Sequence, residues 1–209
     1  EETKCKYIYF VDGDDTLPKW AIWTLIDTIQ KTNAECILGH MERVFPSGKR
    51  KVIPPFTNKP TICRAFIHPV LYKVNAYNKL RCMENIRTHE DRICGYMIPK
   101  VFSYKIIPNV IYNYHVRKSS ATRNTNRTIM IDDLVKVMEE MKTYMGYFSN
   151  DELRAIEDDL TWSAITTLIF AYDIENVGSR YSSIIYIKKL LTEYFPRWTI
   201  NKKLLGLRK

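Results

Sequence analysis

Y-I-Y-F-V-D-G-D-D-T, residues Tyr7 to Thr16, is the stretch whose reading decides the fold. Tyr7, Ile8, Tyr9, Phe10 and Val11 are strand formers that run directly into Asp12, Asp14 and Asp15, with Gly13 between the first two acids. Glycine lets the backbone turn tightly there. A strand therefore ends in a carboxylate cluster, and ligands of open α/β sheets collect at the carboxyl ends of strands. Packing several carboxylates together costs repulsion that a bound divalent cation relieves, so a metal or phosphoryl site explains the cluster better than a structural loop does. The other acidic runs, Asp132-Asp133 and Glu157-Asp158-Asp159, fall on predicted helices and read as solvated faces.

Downstream of the acids, Leu17-Pro18 reads as a helix start with proline at the first helical position. Ile22, Leu25, Ile26 and Ile29 then supply one apolar helix face, which Lys31-Thr32-Asn33 ends. Glu35 to His40 fits a second strand, parallel to the first and reached through that helix. Met41 to Phe45 and Lys49 to Ile53 flank Pro46-Ser47-Gly48 as a hairpin. Val70 to Val74 is read as a strand and Asn75 to Arg81 as a short helix. Thr88 to Arg92 leads into an amphipathic helix carrying Ile93, Tyr96 and Met97, where Glu90 and Asp91 suit the helix dipole. Phe102 to Ile107 and Asn109 to Val116 read as two strands broken at Pro108.

Arg117 to Arg127 is basic, lacks acids and has nothing to bury, so it reads as a linker. Beyond it the pattern is helical. Ile131, Leu134, Val135, Met138, Met141 and Met145 share helical spacing, Ser149 to Glu152 forms a capping box, and a long apolar helix runs from Leu153 to Ile174. A third helix is expected over Ser182 to Glu193. The expected organisation is thus an α/β core over residues 1–116, a basic loop over 117–127 and a helical region over 128–209.

Bulk composition fits this plan. A chain of 209 residues can bury one α/β core with a helical appendage. The formal charge of +9, from 32 Lys and Arg against 23 Asp and Glu, points to an anionic partner. Five cysteines without a C-x-x-C pair argue against a zinc ribbon and a disulfide framework, and so for a reducing, cytoplasmic setting. No apolar run reaches bilayer length. The tail beyond Pro196, with Trp198 among basic residues, suits peripheral contact with an anionic membrane surface or a cap on the helices.

Two chemistries want an acid cluster after a strand. Asp12, Asp14, Thr16 and Leu17 match the D-x-D-x-T-L nucleophile motif of haloacid dehalogenase-type phosphatases, but the Gly-Asp motif that chemistry needs downstream is absent after residue 14. A basic module binding nucleic acid or membrane is the non-enzymatic alternative. The wider resemblance lies elsewhere. K-Y-I-Y-F-V-D-G-D-D-T-L-P, then A-E-C-I-L-G-H with its hairpin, H-E-D-R, and I-Y-N-Y-H-V-R-K-S-S-A-T resemble, in order, the motifs of family 2 glycosyltransferases of the GT-A fold.

That resemblance implies a partial GT-A, Rossmann-like sheet with flanking helices, followed by a C-terminal helical region. It implies that Asp12 and Asp14, with Asp15 adjacent, serve a manganese or magnesium ion and the donor diphosphate, and that Asp91 is the general base with Glu90 tuning it. His115 stands where many members carry Arg and is implied as a metal or diphosphate contact, which Arg117, Lys118 or Ser120 could supply instead. The implied partners are a UDP-sugar donor and a glycan or lipid-linked glycan acceptor, with no nucleic acid. The upstream V-I-I-P-x-Y-N-like strand and uracil-reading Asp of the family have no counterpart here, so the chain is expected to be a fragment, to rely on a partner for the nucleoside half of the donor site, or to keep the resemblance without the activity.

Overall fold

The computed structural model describes residues 5–56, 68–80, 83–117 and 127–172, together with 185, 188–189, 191–194, 196 and 198–200 near the C-terminus; for 127–128 and 167–172 it describes the backbone alone. The chain forms two compact units, Glu1–Glu84 with Asp91–Arg123, and Asn85–Glu90 with Asn124–Lys209.

The first unit is a mixed sheet flanked by helices. Strand β1 (Tyr7–Tyr9) leads through the acid turn to helix α1 (Ala21–Lys31), then β2 (Cys36–Val44), β3 (Arg50–Ile53), β4 (Val70–Lys73), α2 (Val74–Tyr77), α3 (Arg92–Val101) and β5 (Tyr104–His115). β4 pairs antiparallel with both β1 and β2, so β1 and β2 run parallel, as expected, but with β4 between them. β5 pairs parallel with the whole of β2. β2 thus has β5 on one side, and on the other β4 followed by β3 along its length.

β2 joins two segments that the sequence suggests are separate, the Glu35–His40 strand and the first arm of the hairpin. Its start, Cys36, Ile37 and Leu38, is fully buried, as befits a central strand covered on both faces. The hairpin turn closes through the Gly48 N–H on the Phe45 carbonyl, with Gly48 at φ 79°. Pro108 does not end a strand, contrary to the sequence reading. Leu38 faces Ile106 while His40 faces Val110, so β5 spends four residues where β2 spends two. Pro108 sits in that bulge, where no ladder N–H is required of it. Gly39 lies opposite the same bulge, and a Cβ there would come within 2.5 Å of the Ile111 side chain.

α1 packs Ala21, Leu25 and Ile29 into a cluster with Ile37, Leu71, Ile107 and Ile111. Ile22, expected on this face, is 44% exposed instead. The helix begins at Ala21, and Pro18 lies in the preceding turn, its carbonyl accepting the Ala21 N–H. The buried stripe therefore starts one residue earlier and recurs every fourth position. α2 is confined to Val74–Tyr77, shorter than the helix expected over Asn75 to Arg81.

The second unit is helical. α4 (Arg127–Tyr144) and α5 (Asn150–Tyr172) pack together, burying Leu134, Val137, Met141, Ile156, Leu160 and Ala164. Met145 falls after α4 and is 48% exposed. The capping box forms as read: Glu152 accepts the Ser149 N–H, and Ser149 Oγ accepts the Glu152 N–H. Asp133, read as a solvated acid, is buried. Its Oδ2 accepts the N–H groups of Arg87 and Thr88 at 3.0 Å each and the Thr88 hydroxyl at 3.1 Å. It thereby ties residues 87–88 to α4, and nearby Asn85 and His89 take left-handed backbone angles. Glu157, Asp158 and Asp159 are half-buried rather than solvated. Of the helix expected over Ser182 to Glu193, residues 185, 188–189 and 191–193 are described and are helical, and Trp198–Ile200 form a single 3-10 turn; the rest of that helix and of the basic tail lies outside the described residues. Among the described residues no helix is long and apolar enough to cross a membrane.

Candidate active site

The acid cluster forms where β1 ends. The Asp15 N–H bonds the Asp12 carbonyl at 3.1 Å, closing a four-residue turn with Gly13 and Asp14 inside it. The chain then docks on β5, where Thr16 and Asn113 exchange backbone hydrogen bonds of 3.2 and 2.8 Å. One ligand atom from each of Asp12, Asp14 and Asp15 lies within 4.8 Å of the others.

The three acids are held differently. Asp15 is half-buried with both oxygens engaged: Oδ1 accepts the His115 N–H at 2.8 Å, and Oδ2 accepts the Tyr112 hydroxyl at 2.7 Å. The same hydroxyl accepts the Asp12 N–H at 3.2 Å, so Tyr112 spans both ends of the turn. Burial pushes the Tyr112 phenol well above the usual tyrosine range, and the Asp15 carboxylate adds to that against the opposing Asp12 N–H. The phenol is thus kept as a hydroxyl able to donate. Tyr9, its phenol also pushed up by burial, donates to the Ile111 carbonyl at 3.0 Å and ties β1 to β5 just below the turn.

Asp12 and Asp14 keep their carboxylates about half exposed. Arg117 donates to the Asp14 carbonyl at 2.7 Å and places Nε 3.9 Å from its carboxylate. His115 sits at the end of β5 with Nε2 2.9 Å from the Thr16 hydroxyl. Asp12 and Asp14, with carboxylates open to solvent, are the residues of this cluster that could hold a hard divalent cation such as magnesium or manganese.

Of the residues singled out in the sequence, the structure brings together Asp12, Asp14, Asp15, His115 and Arg117. Ser120 lies outside the described residues. Glu90 and Asp91 are not part of the carboxylate group. Asp91 is buried at the start of α3, where its carbonyl accepts the Gly95 N–H, and Glu90 is exposed. Sequence reasoning missed His68, whose Nε2 lies 3.4 Å from Asp12 Oδ2. Nothing in its local sequence marks it, because only the pairing of β1 with β4 brings it near the acids.

The mixed sheet flanked by helices matches a glycosyltransferase-like fold. The chain is similar to solved structures of Staphylococcus aureus TarS. It superposes on TarS 1–349 with a TM-score of 0.59 at 14% identity, covering 94% of this chain and 58% of that one. On TarS 1–349 in complex with UDP-GlcNAc the TM-score is 0.56 at 13% identity, covering 92% and 59%. The chain thus spans less than two thirds of these structures. No known protein family profile and no curated protein matches the sequence.

Proposed function

We propose that this chain carries the metal, diphosphate and acceptor portion of an inverting glycosyltransferase. The enzyme moves a sugar from a UDP-sugar to a glycan or lipid-linked glycan hydroxyl in surface polysaccharide synthesis. The observation that carries the reading is the set of three carboxylates within 4.8 Å at the turn after β1. The likeness in fold to TarS, which has been crystallised with UDP-GlcNAc, supports it.

In this reading Asp12 and Asp14 hold the cation, and Asp15, anchored by Tyr112 and the His115 N–H, keeps the turn in shape. The bound cation supplies charge neutralisation for the departing diphosphate. Arg117 and His115 stand beside the acids to contact phosphate oxygens, and Ser120 is a further candidate for that contact. Asp91, with Glu90 adjacent, takes the proton from the acceptor hydroxyl. That oxygen bonds to the anomeric carbon as the bond to the diphosphate breaks, and its electron pair leaves with the diphosphate. The basic tail is proposed to meet the inner face of the cell membrane from the cytoplasm.

Incubating the complete protein with manganese, a UDP-sugar and a glycan acceptor tests the reading. Transfer is expected, and both Asp14→Asn and Asp91→Asn abolish it. Transfer that persists in either variant refutes the corresponding role.

A further inference from the structure

β1 and β4 pair with Tyr7 opposite Lys73, Ile8 opposite Tyr72 and Tyr9 opposite Leu71. Continued in that register, Val11 falls opposite Pro69 and Asp12 opposite His68. The ladder itself ends at Tyr9 and Leu71, and the backbone of Pro69 faces β2, its carbonyl accepting the Gly39 N–H at 3.2 Å. Beyond the ladder the chain enters the acid turn with Asp12 and His68 beside each other.

His68 Nε2 lies 3.4 Å from Asp12 Oδ2. Its ring stacks on Tyr112, with centroids 5.4 Å apart and planes at 29°. Nδ1 is buried with no hydrogen-bond partner among the described residues, so Nε2 is the nitrogen that meets a polar group. The ring is therefore braced by the same tyrosine whose hydroxyl spans the turn.

We propose that His68 is a positioning residue for Asp12. It holds one carboxylate oxygen and leaves the other for a cation; the cation part rests on the metal-site reading above. Outer-shell partners that orient a ligand in this way typically change metal affinity by about 10–100-fold when removed. His68→Phe keeps the stacked ring and loses the nitrogen. His68→Gln keeps a donor at a similar reach.

The test has two arms. Manganese is titrated calorimetrically into wild type, His68→Phe and His68→Gln. A loss of about 10–100-fold is expected for the Phe variant and recovery to within about threefold of wild type for the Gln variant. Separately, without metal, nitrogen NMR follows the His68 ring in wild type and in Asp12→Ala, and the Nε2 resonance is expected to shift when the carboxylate is removed. Unchanged manganese affinity in His68→Phe, or ring nitrogens indifferent to Asp12→Ala, overturns the proposal. A wild-type chain that binds no manganese while its His68 ring still responds to Asp12→Ala refutes the metal reading and supports the pairing.

Discussion

Replacing Tyr112 by Phe removes one oxygen atom from the site and leaves the buried ring in place. That oxygen donates to Asp15 Oδ2 at 2.7 Å and accepts the Asp12 N–H at 3.2 Å. A hydrogen bond to a charged group contributes roughly 1.5–3 kcal/mol and a neutral one roughly 0.5–1.5 kcal/mol. Asp12 is half exposed, so water takes over much of the second bond, and Asp15 keeps its bond from the His115 N–H. The net loss works out at about 2 kcal/mol, or roughly 4–8 °C in the melting temperature of a chain this size. The effect has a defined pH window. The folded phenol is raised above its ordinary value of 10, so its contribution is fully present below pH 10 and fades as pH rises through the higher folded value. Melts of wild type and Tyr112→Phe at pH 7 and 9 are therefore expected to differ by the same amount. Amide exchange at Asp12 should also quicken in the variant. A Phe variant that melts with wild type and protects the Asp12 amide equally would refute Tyr112 as the brace of the turn.

Gly39→Ala sets a methyl group 2.5–3.0 Å from three Ile111 carbons in the sheet core, and overpacking of this kind costs about 1–3 kcal/mol, measurable as a lower urea midpoint. A midpoint equal to wild type would mean that the bulge yields freely. Asp133→Ala strands the three donors of Arg87 and Thr88 and is expected to cost about 2–4 kcal/mol in urea unfolding, while Asp133→Asn, which keeps an acceptor, costs less. Equal losses in the two variants would count against the hydrogen bonds as the cause. Lys79 and then the Ser103 N–H hold the Glu35 carboxyl below its ordinary value of 4.5, so its contribution is complete above that value and is lost as pH falls through the folded one. Glu35→Gln should therefore melt below wild type at pH 7, with the gap closing as pH falls below 4.5; a gap independent of pH would refute the ion pair as its source.

Much of the first unit was legible because its signals are local. The turn at Asp12–Asp15, the hairpin at Phe45–Lys49 and the Ser149–Glu152 cap each depend on residues within five positions of one another. On α1, Leu25, Ile26 and Ile29 lie on the expected face, and Ile22 alone was misplaced because it has the composition of a core residue, while Ala21, smaller and less conspicuous, occupies the buried place. The insertion of β4 between β1 and β2 depends on pairings more than 30 residues apart in sequence, which no periodicity encodes. Pro108 was misread for a related reason, since a proline breaks a strand unless it falls in a bulge, and the bulge in β5 exists only relative to the register with β2, another strand. Asp133 looked solvated because a helical acid's fate depends on what crosses it, here the N–H groups at 87–88. At the site, the acids and their basic neighbours could be read from the chain, whereas His68 and the double role of Tyr112 are products of the fold.

The pairing that begins with Tyr7 opposite Lys73 makes the site a matter of chain length as much as of chemistry. Substituting Phe10 or Val11 alters packing but leaves Asp12 five positions on from the first pair. Adding or deleting one residue there turns the acids to the other face of the strand and sets a different residue across from His68. The segments at 10–11 and 69–70 should therefore hold their number even where the identity of residues 10 and 11 varies.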